Sequence, residues 1–161
     1  MHKLRHTIFA SSIAAIMLAG CQTGAGGKPG TSTARAAMNE AIAKEPPGAY
    51  FVGRRYYKKE YKFWGFIRTS SQPWSTAQLV MLNENTKLAP DREKANLGSD
   101  NNHEYKITGE FTGDTVYEPA SNRFFPEFRL RSAELISETP APIYREAGAT
   151  DPSRRIIPKP Y

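Results

Sequence analysis

The segment YKITGEF, residues 105–111, gives the clearest indication of the fold class. Tyr105, Ile107 and Phe111 alternate with polar side chains, and a period of two is typical of a strand with one buried face. Gly109 takes the remaining position in the apolar series. Because a glycine inside a strand permits a bulge or a sharp bend, the segment predicts a half-buried strand that bends locally.

Similar patterns lie on both sides of this segment. Further strands are predicted at residues 61–68, 79–82, 116–117 and 128–136. Gly113 and Asp114 predict a turn before the short strand at 116–117. No strong helical pattern separates the strands, so we expect a mainly β domain over residues 49–137, either a small antiparallel barrel or a sandwich of about five strands.

A long polar stretch, residues 83–102, separates the second and third predicted strands. Such a length without structure is unusual in a compact domain. It is open to three interpretations: a helical turn, a cover over one end of the barrel, or a functional loop. Together with the strand glycines Gly65 and Gly109 and a domain of about 90 residues, this loop gives the domain a resemblance to OB-type barrels. A small sandwich fits the pattern nearly as well.

The N-terminus has the organisation of an export signal. Lys3 and Arg5 precede residues 7–19, which carry no charge. This run is shorter than the roughly 20 apolar residues that span a bilayer, and it fits the apolar core of a signal peptide. No other segment approaches spanning length, so we expect no transmembrane helix after processing.

The export signal ends in Leu18-Ala19-Gly20-Cys21, and this motif resembles the lipobox of bacterial lipoproteins. The resemblance implies cleavage after Gly20, a diacylglyceryl thioether on Cys21 and acylation of its new amino group, for example by palmitate. Two or three acyl chains on one residue anchor a protein stably to a membrane. Residues 1–20 are therefore expected to be a lipoprotein signal peptide.

Two consequences follow for location and composition. Gln22, rather than aspartate, follows the cysteine, and in lipoproteins of diderm bacteria this favours the outer membrane, facing the periplasm. Removal of the signal leaves 20 basic against 16 acidic residues, a net charge of +4. Since Cys21 is the only cysteine of the chain, an intrachain disulfide and a cysteine-based zinc site are excluded.

The segments that flank the β domain differ from it in composition. Residues 21–48 are predicted to be a lipidated, disordered tether, rich in glycine, serine and threonine, with a possible short helix over 35–45. Residues 138–161 contain five prolines and several cations, and predict an extended, mobile, basic tail.

The segment from residue 50 to 66 is the most distinctive part of the domain, since aromatic and basic residues interleave along it. One interpretation is a binding face in which cations recruit an anionic partner and rings stack on flat groups. The other is that the aromatics fill the core while the cations are solvated on the opposite strand face. On the first interpretation, the candidate ligand-binding residues are Arg54, Arg55, Tyr56, Tyr57, Lys58, Lys59, Trp64 and, from a predicted turn, Trp74.

Catalytic chemistry has little support in the sequence. His103 is the only histidine left after processing, and it is either a metal ligand or general base or, as we favour, an exposed polar residue. Recognisable hydrolase and metalloprotease motifs are absent from the sequence. We therefore predict no catalytic residue, no metal and no cofactor, although two carboxylates from different strands can meet in the fold.

The sequence thus predicts a lipid-anchored cell-envelope protein with a small β domain for binding or scaffolding. The membrane is the expected partner of Cys21, and an envelope protein or an anionic glycan is the possible partner of the domain. An exported protein rarely meets nucleic acid, which argues against that ligand. The alternatives are a cell-wall glycan enzyme that uses paired carboxylates, and a domain that contacts only protein, through edge-strand pairing.

Overall fold

The computed structural model describes residues 32–161. Its helices are α1 (Ser32–Ala43) and α2 (Pro90–Glu93), and a 3-10 turn covers Trp74–Thr76. Its strands are β1 (Phe51–Arg55), β2 (Gly65–Thr69), β3 (Gln78–Asn83), β4 (Glu104–Glu118) and β5 (Arg123–Ser137). The predicted signal peptide, the cleavage site at Gly20 and the lipidation site Cys21 lie outside the described residues.

The five strands form a closed barrel in the order β1-β2-β3-β5-β4. This confirms the prediction of a mainly β domain, and of the two architectures that the sequence left open it shows the barrel. Four of the five pairings are antiparallel, but β3 and β5 run parallel, with Leu82 opposite Phe128. The barrel is therefore mixed where a purely antiparallel one was expected, and a small closed five-stranded barrel is consistent with the OB-like resemblance.

The strand count is correct although two strands differ from the prediction. The segment that forms β1 was interpreted as a binding face, and its strand was not predicted. The strands expected at 105–111 and 116–117 are one strand, β4, because residues 113–114 form an irregularity and not a turn. The register against β5 shifts between Phe111 and Thr115, and Gly113 has φ +89°. Two extra residues in β4, with positive φ at Gly113, bend the strand without ending it.

Two hydrophobic cores lie on the two faces of the sheet. Alternation along β1 directs Gly53 and Arg55 into the barrel, and Val52, Arg54 and Tyr56 outward. The inner core consists of Trp64, Ile67, Val80, Ala89, Tyr105, Ile107, Phe128 and Leu130. The outer core consists of Met38, Ile42, Val52, Tyr56, Phe63, Phe66, Trp74, Leu79, Phe125, Ile143, Tyr144 and Ala149.

The outer core explains why residues 32–48 and 138–161 are ordered. Met38 and Ile42 of α1 are buried against the sheet, at the place where a short helix was considered possible. Ile143 and Tyr144 are also buried there, so residues 138–161 are part of the domain and not the mobile tail that was predicted. The prolines of this segment suggested an extended chain, but its apolar side chains between them cover the outer face of β1 and β2.

The long polar stretch between β3 and β4 contains α2 and a series of turns, in agreement with the helical-turn interpretation. None of the helices in the described part of the chain has the length and apolar character needed to span a bilayer.

Candidate functional site

The eight candidate ligand-binding residues do not form one surface. Arg54, Arg55, Tyr56, Lys58, Trp64 and Trp74 are buried, Tyr57 is half-buried and Lys59 is exposed. Successive residues of β1 face opposite sides of the sheet, and this separates the set. It falls into three groups: four residues line a pocket at one end of the barrel, two line a groove beneath α1, and two hold the C-terminal segment.

The first group lines a cavity of about 520 Å³, here called the mouth pocket. It lies between the β1–β2 loop, residues 56–64, and the segment that contains α2. Arg55, Tyr57, Lys59 and Trp64 are the predicted residues in its lining. The remaining lining is Glu60, Tyr61, Lys62, Phe63, Met81, Leu82, Glu84, Ala89, Asp91, Arg92 and Leu97. Charged, aromatic and aliphatic side chains thus meet in one cavity.

Arg55 forms the base of the mouth pocket. Its Nη2 donates to Oδ2 of Asp91 at 2.8 Å and its Nε donates to Oδ1 of Asp100 at 3.2 Å, while Nη1 donates to the carbonyl oxygen of Trp64. The hydroxyl of Tyr105 donates to Oδ2 of Asp100 at 3.0 Å. All three charged side chains are almost fully buried, and a buried ion pair of this kind is held only while its hydrogen bonds are complete.

The two carboxyl groups that pair with Arg55, those of Asp91 and Asp100, differ in pKa. Burial alone would raise the pKa of Asp91, but Arg55 and the backbone N–H groups of Gly98 and Arg92 together hold it below its ordinary value. Burial raises the pKa of Asp100, and Arg55 only partly opposes this. The difference arises because Asp91 accepts two backbone hydrogen bonds, one on each oxygen.

Tyr57 and Trp64 provide aromatic surface in the mouth pocket. The Tyr57 ring centre lies 5.3 Å from the guanidinium carbon of Arg55, and its backbone N–H donates to Oδ1 of Asn101 at 2.9 Å. The Trp64 indole packs beside Tyr105, with ring centres 6.2 Å apart. Its Nε1–H is buried and has no hydrogen-bond partner among residues 32–161. Most buried donors are paired, so this group requires an explanation.

The acids that line the mouth pocket are each engaged by a cation. Glu60 pairs with Arg155, Glu84 with Arg92, and Asp91 with Arg55. Glu84 also accepts the backbone N–H of Ala89 at 2.6 Å. Carboxylates held in this way stabilise the walls of the pocket.

The second group, Arg54 and Trp74, lies on the outer face of the sheet beneath α1. The guanidinium carbons of Arg54 and Arg68 lie 5.2 and 4.8 Å from the Trp74 ring centre. Among residues 32–161, each arginine has one carboxylate partner, Glu104 for Arg54 at 2.5 Å and Glu45 for Arg68. These side chains form the floor of a groove of about 760 Å³, here called the α1 groove.

The third group, Tyr56 and Lys58, binds the C-terminal segment. The ammonium group of Lys58 donates to the carbonyl oxygens of Ala149 at 2.5 Å and Asp151 at 2.6 Å. The Tyr56 hydroxyl lies 2.7 Å from the carbonyl oxygen of Ala149 and 2.9 Å from that of Ile156. Burial lowers the pKa of Lys58 and raises that of Tyr56. These two residues have a structural role in fixing residues 149–156.

His103 lies at the start of β4, half-buried, with its ring centre 6.4 Å from that of Tyr105. Within residues 32–161, no group of three or more histidine, cysteine or acidic side chains is arranged to hold a metal ion.

Sequence reasoning missed the residues that complete the mouth pocket from the α2 segment. Asp91, Arg92 and Leu97 lie in the stretch interpreted only as a polar loop, and their sequence separation from β1 concealed the contact. One local signal was available: Pro90 followed by Asp91 is typical of a helix N-terminus, where a carboxylate accepts backbone N–H groups.

No protein-family model matches the chain, and neither a curated protein nor a solved structure matches it significantly. The function is therefore inferred from the geometry of the sites.

Proposed function

We propose that this chain is a lipid-anchored protein of the cell envelope whose barrel binds a glycan in the mouth pocket. The observation that carries the proposal concerns Trp64, a residue of the pocket lining whose buried indole N–H has no partner among residues 32–161. A buried donor without a partner costs about 1–3 kcal/mol. A sugar hydroxyl or acetamide oxygen in the pocket recovers that cost on binding.

The composition of the mouth pocket suits a glycan. A sugar has apolar C–H faces, which pack on rings such as those of Tyr57 and Tyr61, and hydroxyls, which need polar partners. The cations Lys59 and Lys62 extend the site toward solvent and favour a glycan with anionic substituents. Ligand sites commonly combine an apolar wall with a few placed polar groups in this way, at volumes of about 300–1,000 Å³.

The position of the pocket gives independent support. OB-type barrels bind oligosaccharides and oligonucleotides at the face of strands 2 and 3 and at the loop between strands 1 and 2. In this chain the outer face of β2 is covered, since the Tyr144 ring lies 5.7 Å from that of Phe66. The β1–β2 loop remains accessible and forms one wall of the mouth pocket. The predicted compartment favours a glycan over a nucleic acid.

Binding is favoured over glycan hydrolysis at this site. A glycosidase needs one carboxyl group that holds a proton and a second that is free to act as base or nucleophile. The acids of the mouth pocket are ion-paired, and the pKa of Asp91 is lowered, so Asp91 is unsuited to donate a proton. Asp100 has the raised pKa but is enclosed with Arg55 and Tyr105.

Calorimetric titration of the full chain in phospholipid nanodiscs tests the proposal. The probes are a tetramer of N-acetylglucosamine and soluble peptidoglycan fragments, whose stem peptides carry free carboxylates. We expect saturable binding, tighter for the peptidoglycan fragments. Tyr57→Ala is expected to weaken it at least tenfold, which corresponds to about 1.4 kcal/mol.

Phe124→Ala is the matched control. Phe124 is also aromatic and is 67% exposed, and it does not belong to the pocket lining. Its loss is expected to leave the affinity unchanged. Equal losses for Tyr57→Ala and Phe124→Ala would place the ligand elsewhere.

A further inference from the structure

The α1 groove is a second cavity, separate from the mouth pocket. Its walls are α1 on one side and β1, β4 and the residues after β5 on the other. The apolar lining is Ala34, Ala37, Met38, Ala41, Ile42, Pro46, Tyr50, Val52, Trp74, Ile136, Pro140 and Ala141. At about 760 Å³, it falls within the range of small-molecule sites.

The floor of the α1 groove contains two ion-paired arginines, each with one N–H group that has no partner among residues 32–161. Arg54 and Arg68 are 1% and 3% exposed, yet the Nε–H of each has no hydrogen-bond partner in the described part of the chain. Their other guanidinium nitrogens are occupied by Glu104, Glu45 and carbonyl oxygens. Since most buried polar atoms in proteins are paired, these two N–H groups distinguish the floor of this otherwise apolar cavity.

The rim of the groove adds an unpaired cation. Lys106 is exposed, its ammonium group lies 5.1 Å from the Tyr50 ring centre, and it has no carboxylate within salt-bridge distance among residues 32–161. The groove thus contains three cations, Arg54, Arg68 and Lys106, against the two carboxylates Glu45 and Glu104. Among the lining residues, the surplus is one positive charge at the edge of an apolar trough, and Glu134 lies opposite Lys106 on the neighbouring strand.

We propose that the α1 groove binds a free long-chain fatty acid. The alkyl chain lies along Met38, Ile42 and Val52, where it buries apolar surface, and the carboxylate pairs with Lys106. The charge favours an acid over a neutral lipid, since only an anion neutralises the surplus cation.

Photo-crosslinking tests this inference directly. The full chain, carried in phosphatidylcholine vesicles, is irradiated with a diazirine analogue of palmitic acid, and the adducts are located by mass spectrometry. We expect adducts on α1 and on β1. Excess palmitate is expected to compete at least tenfold better than hexadecanol, which has the same chain and no charge.

Two neighbouring alanines of α1 give a matched pair of variants. Ala37 lines the groove and Ala36 does not, and both are exposed. Ala37→Trp is expected to reduce labelling at least fivefold because the indole fills the trough, whereas Ala36→Trp leaves labelling unchanged. Lys106→Gln is expected to abolish the preference for palmitate over hexadecanol.

Three results would overturn the inference. One is labelling that Ala37→Trp does not reduce, and another is equal competition by palmitate and hexadecanol. The third is labelling that appears only in Cys21→Ser protein, which would mean that the acyl chain predicted on Cys21 fills the groove instead. Glycan titration of the Ala37→Trp variant distinguishes failure of this inference from failure of the glycan proposal, because the mouth pocket is expected to bind glycan normally in that variant.

Discussion

The ring of Tyr57 lies directly against Gly98, so that a Cβ atom on Gly98 would stand 2.3 Å from Cδ1 of the ring. This contact joins the β1–β2 loop to the segment that follows α2, and the two together enclose the mouth pocket. Gly98 also has φ +79°, a conformation that costs an L-residue about 1–2 kcal/mol. Glycine is therefore required here both for its backbone and for the space it leaves.

Gly98→Ala is expected to lower the free energy of unfolding by more than about 2 kcal/mol, because the cost of backbone strain and the cost of displacing Tyr57 are summed. It is also expected to weaken glycan binding. Gly113→Ala serves as the control, since Gly113 has φ +89° and nothing lies within 4 Å of its Cβ position. We expect that variant to lose about 1 kcal/mol from strain alone and to keep its glycan affinity. Chemical denaturation and calorimetric titration measure the two effects, and similar behaviour of the two variants would argue against the role of the Tyr57–Gly98 contact.

Asp91 and Asp100, the two acids that pair with Arg55, are expected to change the stability of the protein in opposite directions as pH falls. The pKa of Asp91 is lowered in the folded protein, so the unfolded chain takes up its proton first as pH falls, and the stability that Asp91 contributes disappears below about pH 4. The pKa of Asp100 is raised, so the folded protein binds that proton first, and its contribution to stability increases as pH falls.

Asp91→Asn is accordingly expected to cost about 3 kcal/mol at pH 7 and to flatten the loss of stability between pH 5 and pH 3. Asp100→Asn is expected to cost less, about 1 kcal/mol, and to make that loss steeper. Urea denaturation at pH 7, 5, 4 and 3 measures both slopes. Equal costs at pH 7 would contradict the assignment of the lowered pKa to Asp91.

Lys58 is expected to stabilise the C-terminal segment. Lys58→Gln removes an ammonium group that binds two carbonyl oxygens, and we expect a loss of about 2 kcal/mol together with faster proteolysis within residues 146–156. Lys59→Gln is the control, because the side chain of Lys59 is exposed and only its backbone N–H contacts Pro152, at 3.0 Å. Limited proteolysis followed by mass spectrometry distinguishes the two variants, and unchanged cleavage in Lys58→Gln would refute this role.

The lipid anchor remains a prediction from sequence and has its own experiment. Cys21→Ser is expected to abolish incorporation of labelled palmitate and to leave a precursor that retains residues 1–20. Labelling of the variant at the mature size would show that Cys21 is not the attachment site.

The sequence predicted the fold class because alternation is a local property. The pattern around Tyr105 and Ile107 determines which side chains enter the barrel wherever the strand pairs. The outer core was not predictable in this way, since it depends on a contact between Phe66 and Tyr144, which are far apart in the sequence. The prolines around Tyr144 correctly predicted an extended local backbone, but they do not indicate which residues the Tyr144 ring packs against.

The candidate sites were predicted in part for the same reason. The basic and aromatic residues of 50–66 were correctly singled out as unusual, but their alternation in β1 separates Arg54 from Arg55 onto two faces of the sheet. Their partners Glu104, Asp91 and Asp100 come from distant segments, so the burial of these cations followed from tertiary pairing that composition does not reveal.

The most direct test of the glycan site is the indole N–H resonance of Trp64. The chain has two tryptophans, so a ¹⁵N-labelled full chain in nanodiscs gives two indole signals, which Trp74→Phe assigns. On titration with soluble peptidoglycan fragments, we expect the Trp64 signal to move downfield as its N–H gains an acceptor, while the Trp74 signal stays in place. If the Trp64 signal does not move at a saturating concentration of fragments, the mouth pocket is not the glycan site.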